Sequence, residues 1–239
     1  MLKINAVDIN FKDLNDKVRK SEEDVEISGA LGERFIGAGL SGKTLKITGT
    51  PGNALGAYLN GALIEVFGSA QDAVGDTMND GKIVVHGNIG DSLGYAMRGG
   101  KIFVKGNAGY RAGIHMKAYK EKIPALVIGG SAGSFLGEYQ AGGIIIVLGI
   151  NCENNVVGNF PCTGMHGGKM LLRSDCKGIN FPKNVHAKPA EKEDLDEFYP
   201  YIKEFCDIFG YDLNEILNSG FTVVSPDSNN PYKQMYVAN

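Results

Sequence analysis

Tryptophan is absent from the 239 residues, proline is scarce at eight, and the four cysteines (Cys152, Cys162, Cys176, Cys206) form no CxxC pair. A chain of this size can bury a core without a disulfide framework, and the thiol spacing fits neither a dithiol redox motif nor a usual zinc pattern. Charge of one sign is lacking too. With 24 basic and 27 acidic residues the formal net charge is −3, which removes any global electrostatic case for nucleic acid or an anionic membrane as partner. No apolar run approaches the roughly 20 residues of a membrane span, and the opening "MLKINAVDINFKDLNDK" has no apolar targeting core. The expectation is a soluble, cytoplasmic protein.

Chemistry-bearing motifs are missing as well. There is no HExxH, no Walker loop, no nucleophile elbow and no Ser-His-Asp ordering, and His86, His115, His166 and His186 are scattered. Cys152, Cys162, His166 and Cys176 are the one grouping that suggests a soft metal, but a small buried hydrophobe is the commoner role for cysteine. Whether Cys152, Cys162 and Cys176 bind a metal or form a disulfide stays open from sequence. No catalytic, cofactor-binding or metal-binding residue is assigned on this chain.

What is abundant is glycine, 34 residues, of which 31 fall between Gly29 and Gly168. Gly49, Gly68, Gly87 and Gly106 are each 19 residues apart; Gly130 and Gly149 repeat that interval after a rung carrying five extra residues. Similar stretches follow them: "GTPGNALG", "GSAQDAVG", "GNIGDSLG", "GNAGYRAG", "GSAGSFLG". Five copies exclude a dinucleotide fingerprint or a single phosphate loop, which occur once per site. Four and two residues before the glycines stand apolar pairs, from Leu45 and Ile47 to Ile145 and Val147, with Val25/Ile27 and Met170/Leu172 extending the series. A period of two places both side chains on one face of a strand. A repeat of 19 residues leaves no room for a helix, so the predicted fold is a right-handed parallel β-helix of about seven rungs. Its expected corners are Gly49, Gly68, Gly87, Gly106, Gly130 and Gly149, where positive φ or close approach of the next rung excludes a Cβ. Leu59, Met78, Met97 and Met165 form a further column, expected in the core.

Three residues before the glycines, the outward column begins polar at Lys46 and Glu65 and then turns apolar: Val84, Phe103, Val127, Ile146 and Leu171. So long a stripe needs a cover, and these five residues are the candidate interface. Lys82 is expected on the outer face in water. The tail segment "EKEDLDEFYPYIKEFCDIFG" has apolar residues at helical spacing, acids at its start and Gly210 as stop, with Pro200 expected to kink or restart it. It could cover the stripe, or leave it for a partner or a second copy. The predicted plan is therefore 1–24 as leader and cap, 25–174 as β-helix, and 175–239 as tail with a helix, residues 175–190 leaving the last rung as irregular chain.

The repeats resemble the GXGXG family, whose members include the C-terminal β-helix domain of the glutamate synthase large (alpha) subunit and one of the subunits of formylmethanofuran dehydrogenase. "GERFIGAGLSGK" (32–43), "GTPGNALGAYLNG" (49–61) and "GNFPCTGMHGGKMLLR" (158–173) are similar to the opening, first full turn and closing turn of the glutamate synthase domain. The closing turn carries extra residues, and the amidotransferase and FMN/iron–sulfur portions of that enzyme are absent. The resemblance implies a stand-alone, non-catalytic structural subunit, with glutaminase and FMN-binding synthase chains as partners. FMN and the iron–sulfur cluster would then sit on those partners. The alternatives are a component like the GXGXG subunit of a formylmethanofuran dehydrogenase-type complex, or an independent β-helix binding module.

Overall fold

A computed structural model describes residues 1–152 and 155–227; the last part of the predicted tail, 228–239, lies outside the described residues. Nine strands coil in chain order into one parallel sheet: β1 (Leu2–Asn5), β2 (Val25–Leu31), β3 (Thr44–Thr50), β4 (Asn60–Phe67), β5 (Asp80–Val85), β6 (Lys101–Val104), β7 (Ala125–Ile128), β8 (Ala141–Val147) and β9 (Gly167–Leu172). The fold is a parallel β-helix. Nine strands are joined by eight turns, one more than the repeat count predicted, because Leu2–Asn5 pairs in register with Val25–Ser28. At the ~4.8 Å strand spacing, eight steps make a coil about 38 Å long.

The apolar pairs stack as the period of two requires. Ile64 lies beside Ile83, Ile83 beside Ile102, Ile102 beside Leu126, and Val66, Val85, Val104 and Ile128 run parallel to them. Every inward residue of this set on β2 to β9 is fully buried, as are Leu59, Met78, Met97 and Met165. A thinner second ladder faces them across the core, a chain of single bridges linking Ala70, Ile89, Ala108, Ala132 and Val157.

Between the two ladders each turn uses alternating left-handed residues, as at Arg111, Gly113 and His115 (φ 58°, 71° and 55°). The middle position of this triplet aims at the core: a Cβ on Gly113 would stand 2.4 Å from Ile145 Cδ1. Cys162 occupies the same position in the last turn (φ 61°), so its thiol is buried, 3.6 Å from the Met170 sulfur. Gln140 stands in the methionine column where β8 bulges, between the pairs Ala141↔Gly167 and Ile144↔Lys169. Its amide nitrogen donates to the Gly142 and Gly143 carbonyls at 3.3 and 3.1 Å, tying the side chain to the bulge, while its Oε1 has no hydrogen-bond partner among the described residues.

Both ends are closed. α1 (Phe11–Lys20) starts at Asn10, whose side chain accepts from the Lys12 and Asp13 N–H groups, and it buries Leu14 and Val18. Lys43 donates to the carbonyls of Val18 and Ser21, placing a cation at the negative end of that helix. The leader is thus both a cap and the first rung. At the far end the structure corrects the prediction of irregular chain. The tail returns as β11 (Thr222–Pro226), antiparallel to β9, with β10 (Val185–Pro189) antiparallel beyond it. Alternation was too short there to signal a strand, and Pro189 is tolerated because it ends an edge strand.

α2 (Lys192–Phe209) runs from a capping box at Glu191 and Asp194 to the left-handed Gly210 (φ 76°). It continues through Pro200 without a restart, which corrects the expected break. Pro200 and Asp196, whose carbonyl loses its donor, both face water, so the lost hydrogen bond is replaced by solvent. A short α3 (Leu213–Leu217) leads from α2 to β11.

Candidate functional site

The outward stripe is not open. Val84, Phe103, Val127, Ile146 and Leu171 are at most 4% exposed and form a second apolar cluster with Phe198, Ile202, Phe205 and Cys206 of α2. An 18-residue helix spans about 27 Å, enough to lie across the rungs from β5 to β9. Charges flank the seam: Glu204 bridges Lys82 and Lys101, Lys169 meets Glu197, and Lys188 lies 2.8 Å from Asp194. Lys82 is therefore tied to α2 and is not a free outer-face residue, a correction that required knowing where the tail lands. The two lysines hold the Glu204 carboxyl below the usual glutamate range, although burial, the largest single influence, works against its charge.

Five of the six expected corner glycines sit where neighbouring rungs touch; at Gly149 (φ 54°) the close neighbour is Val156 of its own turn. A Cβ on Gly49 would stand 2.2 Å from the Ala30 carbonyl oxygen, on Gly68 2.1 Å from that of Gly49, and on Gly149 2.3 Å from Val156 Cγ1. At Gly87, Gly106 and Gly130 the obstacle is a polar ladder. Ser69 Oγ accepts from the Asn88 N–H, Asn88 Oδ1 from Asn107 (2.8 Å), and Asn107 Oδ1 from Ser131 (2.8 Å). A Cβ on Gly106 would fall 2.2 Å from Asn88 Oδ1. The ladder also explains why Asn or Ser recurs after the glycine: its side chain replaces a backbone acceptor for the rung above.

The grouping Cys152, Cys162, His166 and Cys176 gathers no ligand set. Among the described residues no three His, Cys, Asp or Glu side chains are placed to hold a metal, and all four cysteines are free thiols. Burial, with a smaller contribution from Cys176, pushes the Cys162 thiol up to about 12, so it stays protonated and unreactive at neutral pH. His86 lies 3.0 Å from Glu65 and stacks on Phe67, and His186 meets Asp227 at 2.7 Å.

One surface has no counterpart among the sequence expectations. On the left-handed corner, Arg111 lies 4.8 Å over the ring of Phe135, which stacks on Phe160 at 5.4 Å. Beside it Tyr95 meets His115 edge-on at 5.9 Å and His115 stacks on Tyr139 at 5.2 Å. Arg111 Nε donates to Glu138 Oε2 at 2.9 Å, from the residue that precedes Tyr139 of the second row. Phe160 is 63% exposed and Tyr139 42%, so these rings stand in water. Bulky side chains in left-handed backbone cost about 1 kcal/mol each. Here the corner geometry imposes the conformation, and the strand register then stacks whatever side chains stand there. Aligning the chain on its repeat puts Arg111, Phe135 and Phe160 in one column and His115 and Tyr139 in another. That signal was present but lay outside the strand columns.

Known proteins share both the sequence and the coil. The uncharacterized protein MJ1350 of Methanocaldococcus jannaschii is 43% identical over 248 aligned positions, covering 98% of this chain and 95% of that protein. Among solved structures, a chain of the formyltransferase/hydrolase complex (FhcABCD) from Methylorubrum extorquens, determined with methylofuran, superposes with a TM-score of 0.64. It shares 20% sequence identity over 95% of this chain and 91% of its own, which establishes a common fold. The GXGXG motif family model matches residues 16–227, from α1 through every repeat to β11, and the chain belongs to that family.

Proposed function

We propose that this protein is a non-catalytic scaffold subunit of a multi-chain enzyme, and that partner chains dock on its aromatic corner. The observation that carries this reading is the exposed double row of Arg111, Phe135, Phe160 and Tyr95, His115, Tyr139. Tyrosine, phenylalanine and arginine are the side chains over-represented in protein interfaces, and stacked rings lose little conformational freedom on docking. The other long apolar face is covered by the chain's own α2.

The likeness to a chain of a formyltransferase/hydrolase complex supports a formylmethanofuran dehydrogenase-type assembly as the first reading, with this chain in the place of its GXGXG-bearing subunit. The stretches 32–43, 49–61 and 158–173 support a second reading, a glutamate synthase-type assembly with glutaminase and FMN-binding chains as partners. In both readings the chemistry and its cofactors belong to the partners. Co-purification from the native cell with identified chains separates them. A formyltransferase or hydrolase supports the first reading; an amidotransferase with an FMN protein supports the second. Tyr139→Asp with Phe160→Asp should abolish association while the protein keeps its circular dichroism and melting temperature. Undiminished association, or substrate turnover by the isolated chain, would overturn the proposal.

A further inference from the structure

Beside α2 lies a cleft of about 520 Å³ over the starts of β4 to β6, sharing no residue with the aromatic corner. Its two walls are the places where the chain departs from its repeat. One is the extra loop between β6 and β7, turned by paired hydrogen bonds between Tyr119 and Lys122 and carrying Lys122 and Ile123. The other is α2, which contributes Glu204.

Three ammonium groups from three elements line this cleft: Lys82 of β5, Lys101 of β6 and Lys122 of the loop. Lys82 and Lys101 are register partners on adjacent rungs, where like charges repel, and they share the single carboxylate of Glu204. Lys122 is bound to Asp80 at 2.8 Å. Three cations against two carboxylates leave one positive charge in excess. Each ammonium has three N–H groups, and the contacts to Glu204 occupy one on Lys82 and one on Lys101. Leu63 and Ile123 supply apolar wall on the same cleft, and Ile123 is exposed. The volume falls within the range of small-molecule sites.

We propose that the cleft binds a small molecule with a compact oxyanion head, phosphate or carboxylate, held by Lys82, Lys101 and Lys122, its short apolar body resting on Leu63 and Ile123. The lysines accept the head without displacing Glu204, because their remaining N–H groups are the donors used. This site is independent of the docking surface proposed above, and its occupant is not a substrate of chemistry on this chain.

The test is calorimetric titration of the full chain at low salt with inorganic phosphate and, separately, with succinate. Saturable one-to-one binding of either probe is expected, the stronger of the two identifying the head group. Lys122→Gln should weaken it at least tenfold. That variant touches neither α2 nor the core, so its fold, read by circular dichroism, should not change. Lys101→Gln should weaken binding similarly, whereas Lys46→Gln, on the exposed outer face of β3, should leave it unaltered. Absence of saturable binding by both probes at millimolar concentration overturns the proposal, as does binding that Lys122→Gln leaves unchanged.

Discussion

Gly49 and Gly39 both have positive φ, yet they carry different burdens. A Cβ at Gly39 meets nothing within 4 Å, so Gly39→Ala should cost only the left-handed strain, about 1 kcal/mol. At Gly49 the same methyl group meets backbone, the Ala30 oxygen at 2.2 Å and nitrogen at 2.8 Å, and backbone of a paired strand cannot step aside. Gly49→Ala should therefore cost about 3 kcal/mol, overpacking added to strain. Chemical denaturation of the two variants checks the difference; equal losses would mean that rung contact does not select glycine there. Both glycines are equally visible in sequence. Only the distance to the next rung distinguishes them.

For the elements, the seam between α2 and the coil is the informative case. Phe103 is fully buried beneath the helix, and Phe103→Lys leaves an unpaired cation in an apolar contact. A loss of roughly 4 kcal/mol is expected, with α2 becoming the first protease target. An intact α2 under limited proteolysis would show that the helix is held by other contacts. Glu204 contributes at the edge of the same seam. Its folded pKa is lowered, so its stabilisation is present above the ordinary glutamate pKa and is lost as pH falls through the lowered value. Wild type should exceed Glu204→Gln at pH 7 by about 1 kcal/mol, allowing for solvent screening of a partly exposed group. That gap should narrow as acid protonates the carboxyl, which melting curves of the two proteins, carried down in pH from 7 until both lose structure, would reveal. A gap independent of pH would point to packing of the side chain rather than to its charge.

At the scale of the molecule, the coil is a stack in which each rung is specified by its neighbours. Deleting residues 50–68 removes one complete 19-residue period and joins Gly49 to Ser69, which brings Leu45 and Ile47 beside Ile83 and Val85. All four are inward and buried, so the shortened chain should still fold, with a cooperative melt at a lower temperature. From the α2 seam the deletion takes Leu63 at its margin and leaves Val84, Phe103, Val127, Ile146 and Leu171, so the helix keeps its seat. Loss of the β signal in circular dichroism would show that particular rungs, and not the repeat, specify the fold.

The β-helix and its inward ladders follow from the sequence alone, because a fixed period forces equivalent residues of successive turns into register. The apolar face of α2 was legible for a related reason: helical spacing and capping residues are local. Whatever the period does not cover was decided by tertiary structure. β1 and β11 are short segments recognisable as strands only by what they pair with. Pro200 is accommodated because its freed carbonyl happens to face water. Cys162 is an inert core residue because it falls in a glycine column, a fact hidden by the extra residues of the last turns. The aromatic corner and the lysine cleft depend on side chains that local patterning leaves unconstrained. Their meeting is set by the coil register and by where the tail folds back, and neither can be read from residues taken one rung at a time.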